Sequence, residues 1–158
     1  MKTTTTLEQS SCEKISHFIA QILANTYILY VKTQNFHWNV IDERFHSLHE
    51  MFEEEYKELA EEIDELAERI RMLKQKAPAT MRQFLELGTL EEGENDISAN
   101  EMIYQLVQGR EALAAIIRPK IEEAIKLGDE GTGDLLIQHL RAHEKAAWML
   151  RSHLIEQN

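Results

Sequence analysis

The chain has a single cysteine, Cys12, and its only prolines are Pro78 and Pro119. One thiol excludes a disulfide framework and any Cys-built zinc or iron–sulfur site, and it fits a reducing, cytoplasmic setting. With so little proline, glycine at only a few positions and no sustained β-branched alternation, sheets and tight turns have little to be built from, so an all-α chain is expected. No run of about eighteen apolar residues occurs, which argues against a membrane span. Met1 to Ser11 is a threonine run with one lysine and no apolar centre, so no signal peptide is expected. Basic residues are in deficit as well, 17 Lys and Arg against 28 Asp and Glu, for a net charge of −11. Non-specific nucleic-acid binding depends on neutralising phosphates, and this balance disfavours it; an acidic protein assembled into a shell would instead concentrate cations.

What is present is helical pattern, and the 158 residues suit one domain. Residues 1–10 read as a flexible tail and 11–158 as the folded domain. Ile15, Phe18, Ile19, Ile22, Leu23, Tyr27, Tyr30 and Val31 recur at three and four, predicting a first helix from about Leu7 to Val40. Asp42 suits a turn. A second helix is predicted from about Glu43 to Gln75, with Phe45, Leu48, Phe52, Leu59, Ile63, Leu66, Ile70 and Leu73 inward and Ala77-Pro78 as its stop. Thr80 to Leu87 reads as a short helix in a long crossover, followed by a loop from Gly88 to Asp96. Ser98-Ala99-Asn100-Glu101 is a capping box that opens a third helix to about Leu127, kinked at Pro119. Gly128 to Gly133 reads as the last turn, and Gly133 or Asp134 to Ile155 as the fourth helix. Four long helices and one crossover describe a ferritin-like four-helix bundle.

The stretch from Gln34 to Ile70 carries the chemistry. His49 and Glu53 are four apart, as are Asp64 and Glu68, so each pair projects from one helix face. Glu53 and Asp64 are eleven apart, close to three turns, which puts both pairs on one stripe. Yet at about 1.5 Å per residue His49 and Glu68 lie roughly 28 Å apart along the axis, and one chain cannot close a metal site from both. Two copies with antiparallel second helices could, since the His49 end of one would meet the Glu68 end of the other, with His37 folded back beside His49. Two imidazoles and three carboxylates suit Fe²⁺: imidazole favours the ferrous state, and hard carboxylate oxygens favour the ferric product.

The runs His37-Trp38-Asn39-Val40, Phe45-His46-Ser47-Leu48-His49-Glu50 and Asp64-Glu65-Leu66-Ala67-Glu68-Arg69 closely resemble the Dps family of mini-ferritins, the DNA-binding proteins from starved cells. Gly128-Asp129-Glu130-Gly131-Thr132-Gly133-Asp134-Leu135-Leu136 and His143-Glu144-Lys145-Ala146-Ala147-Trp148-Met149-Leu150 extend the resemblance over nearly the whole chain. It implies a hollow dodecamer whose ferroxidase sites lie at two-fold interfaces, where Fe²⁺ is oxidised by hydrogen peroxide, or by oxygen, and stored inside as ferric mineral. By position, His37 and His49 would come from one subunit and Asp64 and Glu68 from its partner. Glu53 stands where the family often has aspartate, and Asp42 where it commonly has glycine. DNA-compacting members often carry a Lys-rich terminus, whereas Lys2 and Lys14 here stand against Glu8 and Glu13, so DNA binding is not expected.

Acidic residues at the start of the last helix line three-fold pores in that family, which makes Asp134, then Glu130, the pore candidates; the alternative role for both is to complement the helix dipole. The stripe Glu54, Glu58, Glu61 and Glu65 could include mineral-nucleating positions. Glu43-Arg44-Phe45-His46 matches the Glu-x-x-His element of ordinary ferritins but has no second copy, which leaves His46 outside the site. His139 and His143 are spaced like a metal pair, but as two histidines without carboxylates they read as a structural or surface feature. Trp38 is expected to pack beside the site, with electron donation to stray oxidants as the lesser alternative, and Trp148 in the core or at an interface. The competing functions are a DNA-compacting structural protein and a shell whose site is idle or holds zinc.

Overall fold

The computed structural model describes residues 6–155, within which the chain folds as α1 (Gln9–Asn39), α2 (Phe45–Met72), α3 (Met81–Leu87), α4 (Ala99–Lys126) and α5 (Glu130–Arg151), with no strand among the described residues. The all-α reading holds. Residues 1–5 of the expected tail lie outside the described residues, and Gln9 and Ser10 already belong to α1.

Each boundary has a local cause. Between α1 and α2, Asp42 Oδ1 accepts from the Arg44 backbone N–H and from Arg44 Nε, both at 2.8 Å. That turn uses Glu43 and Arg44, so α2 starts at Phe45 rather than Glu43. Pro78 is not what ends α2. Lys74 adopts φ 63°, the Gln75 N–H reaches Ile70 O at 3.2 Å and the Lys74 N–H reaches Arg71 O at 2.9 Å. These are the two bonds of a Schellman stop, made with lysine at the left-handed position where glycine is usual. α4 ends the same way on Gly128, at φ 86°.

Thr80 and Gln83 cap α3 reciprocally, whereas Ser98 accepts from the Glu101 N–H at the start of α4 and the Glu101 carboxylate accepts from Gln105. α4 continues through Pro119, which is exposed.

The start of α5 corrects the sequence reading. Glu130 to Gly133 is helix, with Asp129 as N-cap accepting from the Thr132 N–H at 3.0 Å. The glycines there permit close approach: a Cβ on Gly131 would lie 2.9 Å from Arg69 Nη2, and one on Gly133 2.9 Å from Ile125 Cγ1. Gly133→Ala gains helix propensity of up to about 1 kcal/mol but overpacks the α4–α5 corner at a cost of about 1–3 kcal/mol. A lowered thermal midpoint is therefore expected, and a raised one would show that Ile125 can move aside. At its other end α5 stops sooner than expected, at Arg151 rather than Ile155.

α1 pairs with α2 and α4 with α5; the two hairpins meet chiefly through α1 and α4, and α3 lies on α1. α2 and α5 touch little, and a groove of about 440 Å³ runs between them. The apolar core falls into two clusters, one around Ile15, Ile22, Leu66, Ile117 and Leu136, the other around Phe36, Phe52, Leu59, Leu106 and Leu150. Each fully buried aliphatic or aromatic side chain contributes about 1.5–3 kcal/mol. Val31 and Phe45, expected inward, are 42% and 44% exposed, and Trp38 and Trp148 are outward at 64% and 67%.

Candidate metal centre

His37, near the end of α1, and His49, on the first turns of α2, are brought face to face by the Asp42 turn. Their rings stack with centroids 3.8 Å apart and planes 12° from parallel. His37 Nδ1 lies 2.7 Å from His49 O, and His49 Nδ1 lies 2.7 Å from His37 O. A carbonyl only accepts, so both Nδ1 atoms carry protons, and Nε2 is the nitrogen of each ring left to bind a metal. Phe45 stacks on the His49 ring at 5.0 Å, and Tyr56 meets the His37 ring edge-on at 5.3 Å.

Glu53 stands one turn beyond His49, bound to Lys57 Nζ at 3.1 Å. That hydrogen bond, and next the lysine charge, hold the Glu53 carboxyl below its usual range, so it is present as an anion.

At the far end of α2, Asp64 and Glu68 are exposed together. The hydrogen bond to Asp64, and then its charge, push the Glu68 carboxyl above its usual range. Two carboxylates placed this closely attract a cation. Among the described residues of one chain, no three His, Cys, Asp or Glu side chains converge on a point that could hold a metal ion. The histidine end and the carboxylate end of α2 are thus separate within one chain.

The remaining predicted residues are placed as follows. Glu130 and Asp134 are exposed in the first turns of α5, and Asp134 Oδ2 accepts from Gln138 at 3.0 Å. His46 points to solvent and pairs with Glu50. Glu54, Glu58, Glu61 and Glu65 line the groove between α2 and α5.

Beneath that groove lies a buried polar layer that the sequence reading missed. Arg110 of α4, 1% exposed, donates from Nη2 to Glu55 Oε1 at 3.1 Å and from Nη1 to His143 Nδ1 at 3.1 Å. His143 Nε2 lies 3.2 Å from Glu62 Oε2, and His139 Nε2 lies 3.0 Å from Glu65 Oε2. His139 and His143 therefore each face a carboxylate, contrary to expectation. Even so, His143 is not set up as a metal ligand. The guanidinium only donates, so Nδ1 accepts and Nε2 must carry the proton. Burial raises the Glu55 and Glu62 carboxyls to about 7 and lowers the His143 imidazole well below its usual value.

The signal for this layer was in the spacing. Leu48, Phe52, Glu55, Leu59, Glu62 and Leu66 follow a strict four-three alternation, so both glutamates sit on the buried stripe.

Comparison with known proteins agrees with the architecture. The family model described as a ferritin-like domain matches residues 17–157. The "DNA protection during starvation protein 2" of Bacillus anthracis is 39% identical over 132 residues, covering 84% of this chain and 90% of that one. A Dps crystal structure from Vibrio cholerae O1, described as a member of a broad superfamily of ferritin-like diiron-carboxylate proteins, superposes with a TM-score of 0.93 at 33% identity, covering 97% of this chain and 96% of that one. A Dps structure from Bacillus brevis gives 0.90 at 34% identity, covering 94% and 99%.

Proposed function

The chain belongs to the ferritin-like family and, within it, to the Dps mini-ferritins, and on that premise we propose that it binds ferrous iron between two subunits, oxidises it and stores the ferric product in a homo-oligomeric shell, a dodecamer. What supports this reading is the placement of the candidate ligands at two separate ends of α2. His37, His49 and Glu53 form one half, Asp64 and Glu68 the other, and an antiparallel pair of α2 helices would bring unlike halves together.

Iron is the substrate, and each residue has a task before the electron moves. With Nδ1 of each imidazole held by a backbone carbonyl, Nε2 of each is the nitrogen that would bind the metal. Asp64 and Glu68 bring two adjacent carboxylates to the cation, and Glu53 exchanges Lys57 for the metal. Carboxylate oxygens then favour the ferric product. Hydrogen peroxide accepts two electrons, one from each of two ferrous ions, and leaves as water; oxygen is the slower oxidant. Consuming Fe²⁺ and peroxide together removes both reagents that generate hydroxyl radical. Asp134 and Glu130 are the candidates for an iron entry pore. A DNA-compacting role gains no support from a net charge of −11.

The test is stopped-flow oxidation on the assembled particle, with peroxide against oxygen. Soluble ferric absorbance should grow faster than in buffer, and faster with peroxide. Iron that oxidises and precipitates as it does without protein would sink the reading.

A further inference from the structure

The groove between α2 and α5 carries charge that the chain does not balance. Glu54, Glu58, Glu61 and Glu65 are exposed along its α2 wall. Several surface glutamates elsewhere have cations: Glu111 pairs with Arg151, Glu122 with Lys126 and Glu144 with Arg118. Among the described residues Glu54, Glu58 and Glu61 have none, and Glu65 has only the His139 imidazole. Lys145 is the single lysine or arginine in the lining.

The floor of the groove has the same bias. Glu55 and His139 belong to the lining although they are only 8% and 3% exposed, and neither Glu55 Oε2 nor His139 Nδ1 makes a hydrogen bond among the described residues. His139 Nε2 faces the Glu65 carboxylate and so carries the ring proton, which leaves Nδ1 an acceptor. Buried acceptors with nothing to accept from call for a donor.

These groups form a row, not a cage. The four exposed glutamates are spaced by four, three and four residues, so they share one face of α2 and step along it by about 6, 4.5 and 6 Å. That face is turned by about 100° from the one that carries Glu53 and Asp64. Among the described residues no three His, Cys, Asp or Glu side chains converge on one point, which disfavours a bare metal ion here. Much of the remaining lining is apolar, with Met51 before Glu54 on α2 and Ala142, Ala146 and Met149 on α5.

We propose that this groove binds a linear polyamine, with its ammonium groups on the α2 carboxylates and its methylenes against the methionines and alanines of the lining. With single bonds of about 1.5 Å, three or four methylenes hold neighbouring nitrogens roughly 5–6 Å apart, which matches the step of the glutamates. An ammonium group donates and does not accept, as the floor requires. A hydrated divalent cation would answer the charge but leave the methionines uncovered. The site is separate from the iron half-sites and does not rest on the iron reading.

The experiment is titration calorimetry on the iron-free protein in its native assembly, with spermine as the probe beside magnesium and a three-carbon diamine. Spermine should bind at one site per chain, more weakly as salt rises. Glu58→Gln with Glu61→Gln should weaken it about tenfold, as two exposed ion pairs are lost. Glu91→Gln with Glu92→Gln removes the same charge from the crossover loop and should change the affinity little. All four positions are exposed, so the fold should be kept, and particle size checks it. Methionine-methyl NMR locates the ligand: the Met51 and Met149 signals should move with spermine, and that of Met81, exposed on α3, should not. Equal weakening in both double variants, magnesium or the diamine binding as tightly as spermine, or unmoved Met51 and Met149 signals would overturn the site.

Discussion

Shells co-assembled from equal amounts of a His37→Ala chain and an Asp64→Ala chain should oxidise ferrous iron at about a quarter of the wild-type rapid rate, although neither variant alone shows a rapid phase. The reasoning is geometric. In the proposed two-fold dimer each site would take its histidines from one chain and Asp64 and Glu68 from the other. When the two variants pair, one site receives both lesions and the other receives neither. Random mixing makes about half of the dimers mixed, each with one intact site of two. Each variant alone has a lesion in every site, and losing a ligand should cost at least the tenfold to hundredfold in metal affinity, roughly, that follows loss of a ligand's hydrogen-bond partner. Asp64 is exposed and His37 is buried beside His49, so particle size should be checked for the His37 variant first. Mixed shells as inactive as their parents would mean that the site is not shared between chains. A rapid phase surviving in either parent would remove that residue from the ligand set.

That test could be framed from sequence because the half-sites are local objects. Pairs at i and i+4 need only a helix, and the rise per residue then forbids closure within one chain. The contact of His37 with His49 needed the Asp42 turn, which was legible, but their reciprocal bonds to each other's carbonyls were not, since these depend on ring orientation. Other errors came from letting residue type outweigh position. Gly131 and Gly133 looked like turn residues, yet they serve close packing against Arg69 and Ile125. Lys74 gave no sign of a helix stop because glycine was the expected signal. Glu55 and Glu62 were not singled out although they occupy the apolar stripe of α2. Their partner, Arg110, stands at an equivalent buried position of α4, and only tertiary packing reveals that one guanidinium serves both hairpins.

Arg110→Met should destabilise the fold by about 3–5 kcal/mol near pH 8 and by much less near pH 5. Methionine fills similar space, so the loss is mainly electrostatic. Arg110 is the cation that Glu55 and Glu62 share inside the bundle, and without it two carboxylates remain beneath the groove with only neutral imidazoles beside them. The pH sign follows from proton binding. Both carboxyls titrate near 7 in the folded chain, above their ordinary value of 4.5. Between those values the folded state holds more protons than the unfolded one, so their contribution to stability declines as pH rises from about 4.5 to 7 and is level above. The Arg110 charge lowers both carboxyls against the effect of burial. Removing it should therefore push both higher, extend the decline past neutrality and steepen it. At low pH the carboxyls are protonated in either state, and the missing cation matters little. Urea unfolding midpoints of wild type and Arg110→Met, at fixed protein concentration and across that range, would read this directly. Adding Glu55→Gln and Glu62→Gln should recover most of the loss near pH 8. An Arg110→Met penalty that stays constant from acid to base would show that the guanidinium acts through packing and hydrogen bonds rather than by neutralising the two carboxylates.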